Sequence, residues 1–370
     1  MPMRTGLTPT KGYAAYLNYA STGLLPPETV RAVHWVTKYQ AERGSLPKET
    51  YEPVLQEVRS LAASLIHADP QEMALTTNTT QGLQMAATAI PWRDGDELVI
   101  TRYSFPANYY VWLPLRERIR LMVVDAPYGP GLEEALLKAV TRRTRAIAVD
   151  WVHFHTGYRV DLARLSEFCR RRRIHLVLDA MQGLGALSLN VRATPVSFLA
   201  VGGAKWLTAP WATGFAFVSR DIHDDLNPAG AGWLSYRWET FERLAGDVSL
   251  RPGAARFEGG TFNYPGFYGM RESLRRILAT PESARAKAAL GHTEWLRERL
   301  RDRDGRILSD FATSQSSAIV SFRPRLHSAA RVFAGLQRAR ISCSFREGHI
   351  RVSPHFFTPQ SHLEALIEAL

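Results

Sequence analysis

The sequence predicts an α/β fold with a large domain, built on a mostly parallel sheet between helices, and a smaller α+β carboxyl-terminal domain. Three observations predict it. Short β-rich apolar runs alternate with helical patterns from about residue 53 to residue 220, as they do where parallel strands are joined by crossover helices. From about residue 265 the pattern changes to a long helical stretch, two short strands and a closing amphipathic helix. The chain has 370 residues, 45% of them hydrophobic, which is enough apolar material for two domains with their own cores.

Along the chain, the segment before residue 30 is expected to cross over and pack with the smaller domain. The division is then 1–30, a large domain over 31–260 and a small domain over 261–370. The strands of the large domain are read as MALTT (73–77), ELVIT (97–101), LMVVD (121–125), AIAVDWV (146–152), HLVLDA (175–180), FLAVGG (198–203) and GFAFVS (214–219). Helical patterns such as TQGLQMAATAI and DLARLSEFCRRRR fall between them. Residues 269–303 read as one long helical stretch, SAIVSF and HIRVSP as strands, and PQSHLEALIEAL as the final helix. In such sheets ligands sit beyond the carboxyl ends of the strands, so the residues just after each run are the ones to inspect.

A formal charge of +11 would suit a polyanionic partner. Arginine is spread over the whole chain, however, and its densest run, Arg170 to Arg173, closes a helical pattern, where cations complement the helix dipole. A solvated face accounts for that run, and no nucleic-acid partner is expected. Apolar runs stop well short of the ~18 residues of a membrane span, and the amino terminus lacks the apolar core of a signal peptide, so a soluble, cytoplasmic protein is expected. The two cysteines, Cys169 and Cys343, cannot form a disulfide framework and lack metal-ligand spacing, which suits a reducing compartment and no metal.

Four local patterns carry chemistry. In LVLDAMQGLGAL a strand ends in Asp179, a carboxylate that is costly to bury without a cation or donor. A helix N-cap would explain it, and so would the protonated ring nitrogen of a pyridine cofactor. In FLAVGGAKWL, Lys205 follows an apolar strand between Ala204 and Trp206, whereas the other five of the six lysines lie in polar contexts. Desolvation there favours the free amine that attacks a carbonyl, although a lysine snorkelling from a strand end reads the same way. Asp179 and Lys205 stand 26 residues apart, the length of one helix-sized connection and a strand. In LTTNTTQGL, Thr79 and Thr80 open an amphipathic helix, either as a phosphate site or as a simple cap. After the next strand, RYSFPANYYVW puts Phe105 where its ring stacks on a planar cofactor or joins the core. Together the four are what a site for pyridoxal 5′-phosphate (PLP) requires, while each pattern alone keeps its plainer reading.

Taken in order, YLNYASTGLLPPETV, NTTQGL, SFPANYY, HFHTGYRVDL, DAMQGLGAL, GGAKWL, FEGGTFNY and REGHIRVSPHFF resemble the class V aminotransferase family of fold-type I PLP-dependent enzymes. That family includes cysteine desulfurases, selenocysteine lyases, kynureninase and isopenicillin N epimerase. The resemblance covers nearly the whole chain and implies a fold-type I PLP-dependent transferase architecture, a homodimer with shared active sites and an amino-acid substrate. It implies Thr79 and Thr80 on the phosphate, Phe105 on the ring face, Asp179 on the pyridine nitrogen, Gln182 on the phenolate oxygen and Lys205 as the Schiff base. Gly260 and Thr261 of FEGGT would reach the phosphate of the other subunit. Arg351 would grip the substrate carboxylate, a bidentate task suited to guanidinium, with Asn18 of YLNYAS on the same side. Of the histidines in WVHFHTGYR, His155 is the candidate to move a substrate proton or donate to the phenolate oxygen. Ordinary loop hydrogen bonding is the other explanation, for it and for His153.

The chain also departs from the family's desulfurases. Phe105 stands in place of a His, and the stretch before Arg351 reads SFREGHI, without a nucleophilic Cys. Cys343 lies upstream, on or beside a predicted strand, as a buried structural thiol does. The Ser and His that often precede the family's lysine are Gly202 and Ala204 here, which leaves the phosphate to Thr79, Thr80 and the second subunit. The expected activity is therefore a lyase that cleaves a C–S or similar Cβ bond of an amino acid by elimination. An aminotransferase or epimerase of a specialised amino acid is the alternative. A basic binding protein without catalysis is a third reading, and intact Asp179, Gln182, Lys205 and Arg351 count against it.

Overall fold

The computed structural model describes residues 12–227, 230–237, 249–303 and 305–370. A short strand, Ala15–Tyr16 (β1), precedes helices Pro27–Arg43 (α1) and Lys48–Ile66 (α2). Then come Met73–Thr76 (β2), Thr79–Ala89 (α3), Glu97–Thr101 (β3), Pro106–Tyr110 (α4), Arg120–Val124 (β4), Leu132–Lys138 (α5) and Thr144–Asp150 (β5). Leu162–Arg172 (α6), His175–Asp179 (β6), Phe198–Gly202 (β7) and Gly214–Val218 (β8) follow. The runs read as strands all form, within a residue or two of their sequence limits.

Those strands make one seven-stranded sheet in the order β2-β8-β7-β6-β5-β3-β4, parallel except for β8, which runs against β2 and β7. Both faces are covered, so the strands are apolar on both sides rather than alternating with polar residues. Leu176 and Leu178 of β6 enter the larger core, which also holds Ile147, Val149, Leu199 and Val201. Val177 faces the other way, with Ala146, Ala148, Phe198 and Ala200 beneath Leu83 and Ala86 of α3. The small residues on that side let α3 lie close. A Cβ on Gly82 of α3 would come within 2.7 Å of the Ala200 Cβ, so only glycine permits this approach.

The stretch over 269–303, read as one helix, is two. Tyr264–Leu278 (α7) starts on Asn263, whose side chain accepts the Gly266 N–H, and Glu282–Asp302 (α8) starts after Pro281. Proline has no N–H to continue the ladder and pushes the preceding residue out of helical geometry, which separates the two. α7 packs on α1 and α2 and puts Phe267, Met270, Leu274 and Ile277 into the larger core.

Beyond α8 lie Arg306–Ile307 (β9), Val320–Arg323 (β10), Ala329–Arg338 (α9), Ile341–Ser342 (β11), Ser344–Arg346 (β12), His349–Val352 (β13) and Gln360–Glu368 (α10). An antiparallel sheet in the order β12-β13-β10-β9 packs with α8, α9 and α10 around Leu296, Leu300, Val320, Phe322, Ile350 and Leu363. The amino-terminal arm joins this unit, since β1 pairs with β11, Asn18 bridges Ser353, and Ala15 and Leu17 enter its core. Arg170 and Arg171 lie on a solvated face and pair with Glu167. Among the described residues no helix is long and apolar enough to cross a membrane. No group of three or more His, Cys, Asp or Glu among them could hold a metal ion.

One buried ion pair ties α2 to the FEGG segment. Arg59 Nη2 donates to both Glu258 oxygens, at 2.7 and 2.6 Å, and Glu258 also accepts the Leu75 N–H at 2.8 Å. Removing one member strands a charge in the core. We expect Glu258→Ala to lower the unfolding free energy by about 3–5 kcal/mol in urea titration. Glu42→Ala, which removes the exposed Lys38–Glu42 pair, should stay within about 0.5 kcal/mol of wild type.

Candidate active site

The sheet register assembles the site. Asp150 stands opposite Asp179 across β5 and β6, Asp179 pairs with Ala200 on β7, and Gly202 and Thr76 both pair with Gly214. The carboxyl ends of four parallel strands thus meet; Thr79 follows β2 and Lys205 follows β7, and Phe105 comes from the loop leaving β3, the neighbour of β5. The Asn78 side chain caps α3 by accepting the Gln81 N–H. The N–H groups of Thr79 and Thr80, in the first turn, have no intrahelical acceptor, which makes this end a phosphate-type cradle.

Asp179 is 4% exposed. One of its oxygens accepts the Met181 N–H at 2.9 Å, and the other has no hydrogen-bond partner among the described residues. Burial pushes its carboxyl up to about 6, with the Met181 N–H and the Lys205 charge acting against that rise. Burial likewise pulls the Lys205 ammonium down to about 8, offset by the carboxylate of Asp179 and, more weakly, of Asp150. Lys205 Nζ makes no hydrogen bond among the described residues and lies 5.5 Å from the centre of the Phe105 ring.

The backbone around Lys205 is clamped from three sides. Gly23 donates its N–H to the Ala204 carbonyl at 2.7 Å, and a Cβ on Gly23 would lie 2.1 Å from the Lys205 carbonyl oxygen. Trp206 donates Nε1–H to Gln182 Oε1 at 2.9 Å, and Gln182 donates one Nε2–H to the Ala20 carbonyl at 3.0 Å. From the carboxyl-terminal unit, His355 donates Nε2–H to the Trp206 carbonyl at 2.8 Å.

Arg351 of β13 is 1% exposed and bonds to neutral groups: the Phe154 carbonyl at 2.6 Å, Ser21 Oγ at 2.7 Å and Ser344 Oγ at 3.3 Å. Its Nε is buried without a partner among the described residues. Burial, then Arg346, pulls its guanidinium down to about 9. A desolvated cation without an anion is costly, and a carboxylate ligand relieves that cost. Asn18 Oδ1 accepts from Ser344 Oγ at 2.7 Å, so it reaches Arg351 through that serine.

The family described as Aminotransferase class-V matches residues 15–362. The chain belongs to the class V aminotransferase family. It is a PLP-dependent enzyme, as that family is. A probable cysteine desulfurase of Methanothermobacter thermautotrophicus is 30% identical over 70% of this chain and 65% of its own length. An isopenicillin N epimerase of Streptomyces clavuligerus is 29% identical over 96% of the chain and 93% of its own. Among solved structures, a Lys-to-Ala mutant of C-DES, with glycine covalently linked to its PLP cofactor, superposes with a TM-score of 0.89 at 23% identity, covering 100% of this chain and 98% of that one. The fold is thereby fold-type I.

PLP fits what this class V enzyme offers. A half-satisfied buried carboxylate, an unbonded and desolvated lysine, an aromatic ring and a helix amino terminus converge on one space. His155 lies at its edge toward the carboxyl-terminal unit, with Nε2 3.9 Å from a Glu347 oxygen and its ring 5.2 Å from His349. His153 stacks on Tyr128 with centroids 4.5 Å apart, and burial drops its imidazole to about 3, so it stays neutral. Gly260 and Thr261 follow Glu258 on the loop before α7. Sequence reasoning passed over Asp150, although it ends the run AIAVD as Asp179 ends HLVLD. It also passed over His355 and Ser344, whose contacts join segments far apart in sequence.

In the protein without cofactor, the Lys205 amine should titrate near about 8 rather than at the usual 10.5, charged below that midpoint and free above it. The pH dependence of its reductive methylation measures this. Asp179→Asn removes the carboxylate that favours the charged form and should move the midpoint lower still. A wild-type midpoint at the ordinary lysine value would contradict the buried setting.

Proposed function

We propose that the protein is a PLP-dependent lyase that cleaves a C–S or similar bond at Cβ of an amino acid by elimination. The observation that carries the choice is the burial of both cysteines, Cys169 at 2% and Cys343 at 5% exposure. Burial pushes each thiol up to about 12. Attack on a substrate sulfur needs an accessible thiolate, and neither residue supplies one. Cleavage then relies on a leaving group carried by the substrate. The likeness to C-DES, described as a cystine C–S lyase in complex with cysteine persulfide, supports this reading.

When bound, PLP supplies a ring that takes up the electron pair released at Cα. Lys205 carries the cofactor and then, as a free amine, takes the Cα proton. Asp179 holds the proton of the ring nitrogen. Thr79 and Thr80 hold the phosphate together with the first turn of α3, and Phe105 covers the ring face. Gln182 directs its second amide N–H to the phenolate oxygen. Arg351 grips the α-carboxylate, with Asn18 bracing it through Ser344, and His155 moves a proton on the substrate side. Gly260 and Thr261 serve the phosphate of the partner subunit in a homodimer. The site lies between a large domain, expected over 31–260 and extended by α7, which packs into its core, and a small one made by the rest of 261–370, in a cytoplasmic enzyme.

A second reading, epimerisation, is favoured by one observation. Two relatives named isopenicillin N epimerase match over 96% of the chain each, against 70% for the desulfurase named above. Return of the Cα proton to the opposite face, with no leaving group at Cβ, would give that outcome from the same residues.

The test is an absorbance spectrum with added PLP before and after borohydride, wild type beside Lys205→Ala, followed by turnover of cystine and cysteine conjugates. A band lost in the variant, with pyruvate released by wild type, supports the lyase. Solvent deuterium entering Cα with inversion and no pyruvate supports the epimerase. Cys169→Ser and Cys343→Ser should each turn over at near the wild-type rate. Loss of activity in a folded Cys343→Ser protein would overturn the argument from burial.

A further inference from the structure

A second buried carboxylate lies at the strand ends that none of the roles above employs. Asp150 is 3% exposed and stands opposite Asp179 in the β5–β6 register. Paired residues of neighbouring strands point to the same face, so both carboxylates meet one space. One Asp150 oxygen accepts the Phe105 N–H at 2.7 Å, and the other accepts Asn108 Nδ2–H at 2.8 Å. The Asp150 N–H donates to the Tyr128 hydroxyl at 2.9 Å, which anchors its own backbone. Phe105 immediately precedes α4, and its side chain caps nothing. Asp150 thus does from a neighbouring strand what the N3 side chain of a capping box does locally, accepting the N–H of the N-cap residue.

We propose that Asp150 is a positioning residue that fixes the Phe105 ring over Lys205 Nζ and, as a second carboxylate beside Asp179, tunes the site to hold a cationic ring. The inference rests on the PLP reading. Its charge logic is simple. Two carboxylates face one ammonium, Lys205, which leaves a local negative excess at the strand ends, in a space that is largely buried although the Phe105 ring at its wall is 36% exposed. Arg351 of β13 and Arg346 of β12 act on Lys205 from the other side, and Tyr128 is neutral. Like charges this close disfavour double ionisation, and burial together with Asp179 pushes the Asp150 carboxyl upward. A protonated ring offsets the excess and lets both carboxylates ionise. The two donors on Asp150 fit that ionised form.

The test separates the two tasks. PLP affinity and the pH midpoint of the Lys205-bound cofactor absorbance are measured for wild type, Asp150→Asn and Phe105→Ala. Asp150→Asn is expected to bind PLP about tenfold more weakly, as when a charged hydrogen bond is lost. Its midpoint should also fall by about one pH unit, because a charge favouring the protonated form is gone. Phe105→Ala should weaken binding and leave the midpoint in place, since it removes packing and no charge. Asp150→Asn with wild-type affinity and midpoint overturns the proposal, and weaker binding with a fixed midpoint overturns its electrostatic part. If Asp150→Asn does not fold, Asn108→Ala removes a single donor and should shift both quantities in the same directions by less. No change in a folded Asn108→Ala protein is equally fatal. A wild-type protein with no Lys205-dependent band removes the PLP reading and this inference with it, whereas a normal wild-type band beside an unaltered Asp150→Asn removes this inference alone.

Discussion

Asp179 and Lys205 are opposite charges kept from water at the ends of adjacent strands, and the rest of the molecule is arranged around the cost of keeping them there. Each would be driven neutral by burial alone, and each is moved partway, the carboxyl upward and the ammonium downward. The sheet makes such a pair possible by ending several parallel strands at one level, so that short loops hold polar groups in register. Small residues on that face, Ala146, Ala148 and Ala200 among them, together with Gly82 on the helix, let α3 descend until its open amino terminus joins them.

The strands were legible because each is a short, almost purely apolar run, buried on both faces and bounded by turn residues. Asp179, Lys205 and Thr79 were legible for the same reason, as polar residues at the ends of apolar runs. Asp150 obeys the same rule and was hidden only because Trp151 and Val152 extend its run past the true strand end. The break between α7 and α8 was written in Pro281, but two helical patterns of like character on either side masked it.

What the sequence withheld is long-range. The partners of Arg351 come from Ser21, Phe154 and Ser344, and no local pattern joins such positions. The same holds for Gln182, whose amide is committed on both sides, to Ala20 and Trp206. Carrying a family role onto Gln182 located the residue. Only the fold reveals that it is also a brace, with one N–H left for a ligand.

The clamp on the Lys205 backbone bears on how the enzyme is made. Gly23 holds the Ala204 carbonyl just before that lysine and His355 the Trp206 carbonyl just after it, and the two residues are 332 positions apart in sequence. A ribosome releases them far apart in time, since synthesis runs at about 5–20 residues per second and domains fold as they emerge. The sheet can form while the last strands are still being translated, but the walls around its lysine cannot. Capture of the cofactor in its finished pocket therefore follows the emergence of residue 355, and a nascent chain stalled before that point presents an incomplete pocket with its reactive amine less shielded.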